Sequence, residues 1–299
     1  MNWLTGHGQL DQLRMIFWDG EKVENKSFSL ITIVNKEEVY REFKKKLSKQ
    51  KNVNYELIKI ENDNNQYSSA REAYNKAAKI ASGDYLVFLH PDIRFLDTNA
   101  LHDILINVNR LSDYGLIGIA GSPNNEDEDN RDYIVTTLVQ NTKKENIGEA
   151  IKQPTKVQTV DECFFVVKRS FWEKHPFSDI VGWHFYAVEQ SLIALNDGLT
   201  NYVVPARVWH ISPGASENIQ YIKIGKEIVK RYGRNFTYIN TTVEQWYTHG
   251  LKKELMPWVN FIAHKVQMKV KKHPNIYSLG RKIKRMVDYK NQNMSEKND

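Results

Sequence analysis

The chain has 299 residues, 41% hydrophobic and 26% charged, with 15 Gly and 8 Pro. That composition excludes a disordered or fibrous protein and allows one large core or two modest ones. The net charge of +6 belongs to the tail: from Leu251 onward there are 12 Lys/Arg against 4 Asp/Glu, leaving 30 basic and 32 acidic residues before it. Lys and Arg are therefore not spread along a surface as a polyphosphate ligand requires, and no nucleic-acid partner is expected. Cys163 is the single cysteine, which excludes an internal disulfide and a cysteine-rich zinc site and points to a reducing compartment. The first residues lack a basic start and apolar run, and no stretch approaches the roughly 20 apolar residues that span a bilayer. The expected location is the cytoplasm.

In chain order, residues 29–36 (SLITIVNK) read as a strand. Residues 37–50 read as a helix, with Val39, Phe43 and Leu47 on one face. A second strand, 55–62, is followed by a helix over 68–82 whose face carries Ala70, Ala73, Tyr74, Ala77, Ala78 and Ala81. Ser69 and Glu72 at its start read as a capping box. Gly83 ends that helix, and YLVFL (85–89) is a strand apolar enough to be buried on both faces. Three strand–helix repeats predict a doubly wound α/β sheet. A helix around Leu101, Ile104, Leu105, Val108 and Leu111 precedes the strand-like LIGIAG, and a polar loop follows. ECFFVVK (162–168) reads as a strand, 187–196 as a helix closed by Gly198, and NYVVP as a last strand. The expected division is a leader (1–26), a catalytic body (27–215), a basic, amphipathic helical extension (216–290) and a disordered tail (291–299).

Open α/β sheets bind ligands beyond the carboxyl ends of their strands. Asn35 follows the first strand, Glu61, Asn62 and Asp63 the second, and His90, Pro91 and Asp92 the third. Polar groups for a base and ribose, beside an Asp able to hold a cation, suit a nucleoside diphosphate. No GxGxxG or GxxxxGK[ST] is present, so a metal rather than a glycine loop would neutralise the diphosphate.

These pieces resemble the family 2-like glycosyltransferases of the GT-A fold, which have a mixed, mainly parallel sheet flanked by helices. The resemblance spans about residues 27–215 and rests on SLITIVNK, IKIEND, SAREAYNKAAKIASGDYLVFLHPDI, WHFYAVEQSLIALNDG and NYVVPARVWHISPG. Asn75, Gly83, Asp84 and Asp92 fall where the family pattern has them, whereas His90 replaces the first Asp of the DxD element and VEQ replaces a Glu-Asp pair. The resemblance adds Thr32, Val34, Arg71 and Asn75 to the donor-binding set. It implies transfer from a nucleotide sugar, a UDP-sugar being favoured, to a glycan or lipid-linked glycan acceptor in bacterial surface or exported glycan synthesis. The implied mechanism is inverting, with Mn2+ or Mg2+ on Asp92 and His210 as a further ligand.

Glu189, at the start of a helix, is the candidate base, with Asp161 and Glu162 as competing carboxylates. Trp183 and His184 are acceptor-side candidates, since aromatic faces stack on sugars. In the tail, Ile276, Leu279, Ile283, Met286 and Val287 form a stripe opposite Arg281, Lys282, Lys284 and Arg285. Such a helix fits an anionic membrane surface or packing on the body equally. The altered motifs also fit a non-catalytic relative that binds nucleotide, glycan or membrane.

Overall fold

The computed structural model describes residues 26–124, 134–140, 145–146, 148–212 and 218–271. The expected alternation begins with β1 (Ser27–Val34), α1 (Glu37–Leu47), β2 (Asn54–Glu61), α2 (Ala70–Ile80) and β3 (Tyr85–Leu89). It continues through β4 (Ile93–Phe95), α3 (Ala100–Arg110), β5 (Tyr114–Gly118) and β6 (Ala120–Ser122). Short strands β7 (Val135–Thr136), β8 (Val139–Gln140), β9 (Glu145–Asn146), β10 (Thr155–Val157) and β11 (Thr159–Val160) lead to β12 (Phe164–Lys168). After α4 (Arg169–Lys174) and α5 (Tyr186–Asn196) come β13 (Thr200–Val203) and β14 (Val208–His210). The last described elements are α6 (Ile219–Tyr232), β15 (Tyr238–Asn240), β16 (Gln245–Tyr247) and α7 (Lys252–Lys271).

The central sheet has the order β10-β13-β5-β12-β3-β1-β2. β2, β1, β3, β5 and β13 run in one direction, while β12 opposes both its neighbours and β10 opposes β13. This is the mixed, mainly parallel α/β sheet expected. Alternation along the strands divides the core: Leu30, Val87 and Leu89 face α1 and α3, whereas Ile31, Leu86 and Phe88 face the alanine side of α2 and the start of α5. A third apolar cluster joins α5, α6 and the β15–β16 hairpin through Phe185, Leu192, Tyr221, Ile228 and Trp246. None of the described helices is long and apolar enough to cross a membrane.

Three local expectations are corrected. LIGIAG is divided between β5 and β6, which pair in different sheets. Ser69 does not cap α2 with its side chain; its hydroxyl donates instead to the carbonyls of Ile180 and Gly182, so a long-range contact displaces the local one. Residues after 216 are not wholly helical, because Trp246 of the hairpin packs against Gly225 of α6 and orders two strands there. The stripe of residues 276–287 lies outside the described residues.

Gly83 has a packing role beyond ending a helix. A Cβ there would lie 2.8 Å from the backbone of Phe28, Ser27 and Ser29, and its N–H donates to Ser29 Oγ at 2.8 Å. Strand backbone cannot yield as a flexible side chain can. Gly83→Ala is expected to lower stability by about 1–3 kcal/mol, measured as a lower denaturant midpoint at unchanged slope.

Candidate functional site

The carboxyl end of β3 is where the chemistry gathers. His90 and Asp92 follow that strand directly, and β4 then pairs antiparallel with β14 so that His210 stands opposite Ile93. The Ile211 N–H closes the ladder on the Asp92 carbonyl at 3.1 Å. This pairing brings together residues far apart in the chain: His90, Asp92 and His210 offer one ligand atom each within 4.8 Å of one another. Asp92 Oδ1 and His210 Nε2 lie 3.3 Å apart, and neither buried atom has a well-formed hydrogen bond. The two buried atoms face each other as an ion pair, and two imidazoles with a carboxylate suit a divalent transition ion.

The electrostatics agree with that grouping. Burial opposes charge on His210, but Asp92 and Asp161 outweigh it and hold its pKa above the usual imidazole value. Burial would raise Asp92, yet the two histidines bring it below the ordinary carboxylate range. His90 is shifted down, chiefly by burial, and its Nε2 lies 2.9 Å from the Tyr186 hydroxyl.

β12 supplies the other wall. Because it runs against β3, with Phe164 opposite Leu89, its first residues rather than its last reach the carboxyl edge of the parallel strands. Asp161 and Glu162 therefore stand beside His90, whose N–H donates to the Cys163 carbonyl at 3.0 Å. Asp161 accepts from the Cys163 N–H and the Thr242 hydroxyl; burial raises its pKa, and these bonds bring it down below the usual value. Glu162 goes the other way: burial and the Asp161 charge push it up to about 8. Its carboxylate accepts the Tyr186 N–H at 2.7 Å, at the N-terminus of α5.

Glu189 is placed differently from expectation. It sits one turn inside α5, fully buried, and pairs with the equally buried Arg71 at 2.7 Å. Ser178 Oγ and the Tyr232 hydroxyl donate to it at 3.0 and 2.9 Å. Its oxygens are occupied and none of its surface is open, so no acceptor hydroxyl can reach it. The reason is that α5 lies between two apolar clusters and its first turns have no solvent face.

Several expected donor-binding residues have structural partners within the fold. Arg71 is fully buried, and its Nη1 donates to the His184 carbonyl at 3.0 Å. Asn75 accepts from Trp172 Nε1 and the Phe177 N–H and donates to the Phe177 carbonyl, which ties its amide to this segment. Val34 is core, and its carbonyl takes the Asn62 N–H. Asn62 is buried and accepts the Tyr67 N–H, and Thr32 is buried within β1. Asn35 and Glu61 are exposed at their strand ends, with Glu61 bonded to Lys59. Pro91 is half-buried and its carbonyl accepts from Arg94. Trp183 is half-buried against the α2-side cluster, and His184 is half-buried with its ring edge-on to Tyr221.

The segment before α5, which carries Trp183 and His184, is held under strain. Phe185 adopts φ 64°, a left-handed conformation unusual for a bulky residue, and Gly182 has φ 130°. Phe185 is held there by its packing against Tyr221 and Trp246.

Residues 29–232 match the protein family described as Glycosyltransferase like family. The chain belongs to this family. No curated protein matches this glycosyltransferase-like chain in sequence. Among solved structures it is similar to the mannosyltransferase PcManGT from Pyrobaculum calidifontis in complex with GDP-Man and Mn2+. There the TM-score is 0.47 at 12% identity, over 76% of this chain and 71% of that one. It is also similar to S. aureus TarS 1-349, with a TM-score of 0.45 at 11% identity, over 68% of this chain and 64% of that one.

Removing one partner of a buried pair strands the other charge. Glu189→Ala is expected to cost about 3–5 kcal/mol of unfolding free energy, read by chemical denaturation. A loss below about 1 kcal/mol would show that Arg71 does not depend on it.

Proposed function

We propose that the protein transfers a sugar from a nucleoside diphosphate sugar, with a UDP-sugar as the first donor to test, to an acceptor hydroxyl with inversion, in bacterial surface or exported glycan synthesis at the cytoplasmic side. The observation that carries this reading is the meeting of Asp92, His210 and His90 with Asp161 and Glu162 at one end of a glycosyltransferase-family sheet. In this reading the catalytic unit extends to residue 232, because Tyr232 bonds Glu189.

Asp92 and His210 would hold a divalent cation, with His90 adjacent, and the imidazoles favour Mn2+ over Mg2+, which prefers oxygen ligands. Bound there, the ion would neutralise the departing diphosphate. Glu162 replaces Glu189 as the proposed base. It is half-buried beside Asp161 at the carboxyl edge of the sheet, and a raised pKa is what general-base work near neutrality requires. It would take the acceptor hydroxyl proton as that oxygen attacks the anomeric carbon and the diphosphate leaves. His184, in the strained segment above, would contact the acceptor. Asn35 and Glu61, exposed at the strand ends, remain candidates for the nucleoside.

Calorimetric titration with UDP, GDP and CDP, each with Mn2+ or EDTA, tests the donor side. Binding of one diphosphate should weaken at least tenfold with chelator or in Asp92→Ala, and absence of all binding would sink the reading. Turnover tests the base. A base acts deprotonated, so kcat/KM should climb as pH rises through the Glu162 pKa. Glu162→Gln should lower kcat about 10²- to 10⁴-fold and abolish that acidic limb; an unchanged profile would return the role to another group.

A further inference from the structure

The outer face of α7 has no place in the reaction described above. Pro257 is buried and Met256, Asn260 and Phe261 are half-buried, so this side of the helix faces the body. Asn260 donates to Glu244 of the hairpin at 2.7 Å, and Lys226 of α6 bonds Glu254. At about 100° per residue, Leu251, Leu255, Trp258, Val259, Ile262 and Val266 gather on the opposite side. They are 81%, 61%, 40%, 52%, 60% and 54% exposed. A contiguous apolar stripe on a helix of 20 residues marks an interaction surface rather than scattered surface apolarity.

Charge selects the occupant. Lys252 and Lys265 border the stripe, and it lies in the part of the sequence, from Leu251 onward, that carries +8 while the remainder carries −2. A second copy of this chain would bring a like-charged helix against it and repel. An anionic surface takes both the apolar stripe and the cations, with Trp258 suited to the boundary between headgroups and acyl chains. The helix is also near the site: Glu244, which holds Asn260 of α7, is two residues from Thr242, which holds Asp161.

We propose that the exposed face of α7 is a membrane-docking surface that seats the protein on a layer of anionic lipid headgroups, with the cleft close to the bilayer. The surface would admit an acceptor presented from the membrane.

The full chain is incubated with phosphatidylcholine vesicles and with mixed phosphatidylcholine–phosphatidylglycerol vesicles, and the bound fraction is measured by flotation at low and raised salt. The comparison is Leu255→Glu/Ile262→Glu, both outside the cleft, with unchanged thermal melting as the control for folding. Binding only to the anionic vesicles, weakened by salt and by the double substitution at least about tenfold, is the expected result. Equal binding by the double variant, or no vesicle binding by the natural chain, overturns the proposal. A dimer in light scattering that the double substitution dissolves, without vesicle binding, assigns the stripe to a second copy and also overturns it.

Discussion

The buried pair between Arg71 and Glu189 is the contact on which the cleft depends. It joins α2, on one face of the sheet, to α5, which is preceded by the segment of residues 177–185. Arg71 extends the tie to the His184 carbonyl, Ser69 to Ile180 and Gly182, and Asn75 to Phe177. One polar edge of α2 thus fastens residues 177–184 at several points. A segment containing a left-handed phenylalanine needs such fastening, because strain persists only where the surroundings leave no alternative. Charges buried this deeply add little stability relative to apolar residues of the same shape. Their effect is to fix one geometry, since the pair is satisfied in one arrangement of the two helices.

The cleft above that tie draws its groups from four places in the fold: the end of β3, the start of β12, the end of β14 and the hairpin turn. Their proximity explains the opposed titration of neighbouring carboxyls. Asp161 receives hydrogen bonds and lies toward His210, so its charge is favoured; Glu162 is buried next to that charge, so its own is not. Carboxyls one residue apart with shifts of opposite sign are a common arrangement where one group must stay ionised and the other must exchange a proton. The hairpin that supplies Thr242 lies beyond the residues matched to the family, 29–232.

Much of the fold is readable along the chain. The strand–helix alternation through residue 110 follows from apolar runs and 3.6-residue periodicity, both local properties. Asp92 and His210 were legible as candidates from their places at strand ends, and the fold brings them within 3.3 Å. Glu162 was harder to read, because the search for polar residues after a strand assumes that every strand points toward the ligand, and β12 points away from it. Thr242 has no local signal at all. Arg71 and Asn75 entered through the family resemblance and Glu189 through its place at a helix start, but one sequence pattern serves a group facing a ligand and a group facing another helix.

By itself, then, the sequence determined the main strand–helix alternation, the mixed α/β class, the family and the basic character of the final segment, since periodicity, motif spacing and charge are properties of neighbours along the chain. Tertiary structure alone decided which carboxylate pairs with Arg71 and which lies beside Asp161, that His210 meets Asp92, and which side of α7 faces outward. Those outcomes depend on strand direction and on burial between layers, and both arise only when distant segments pack.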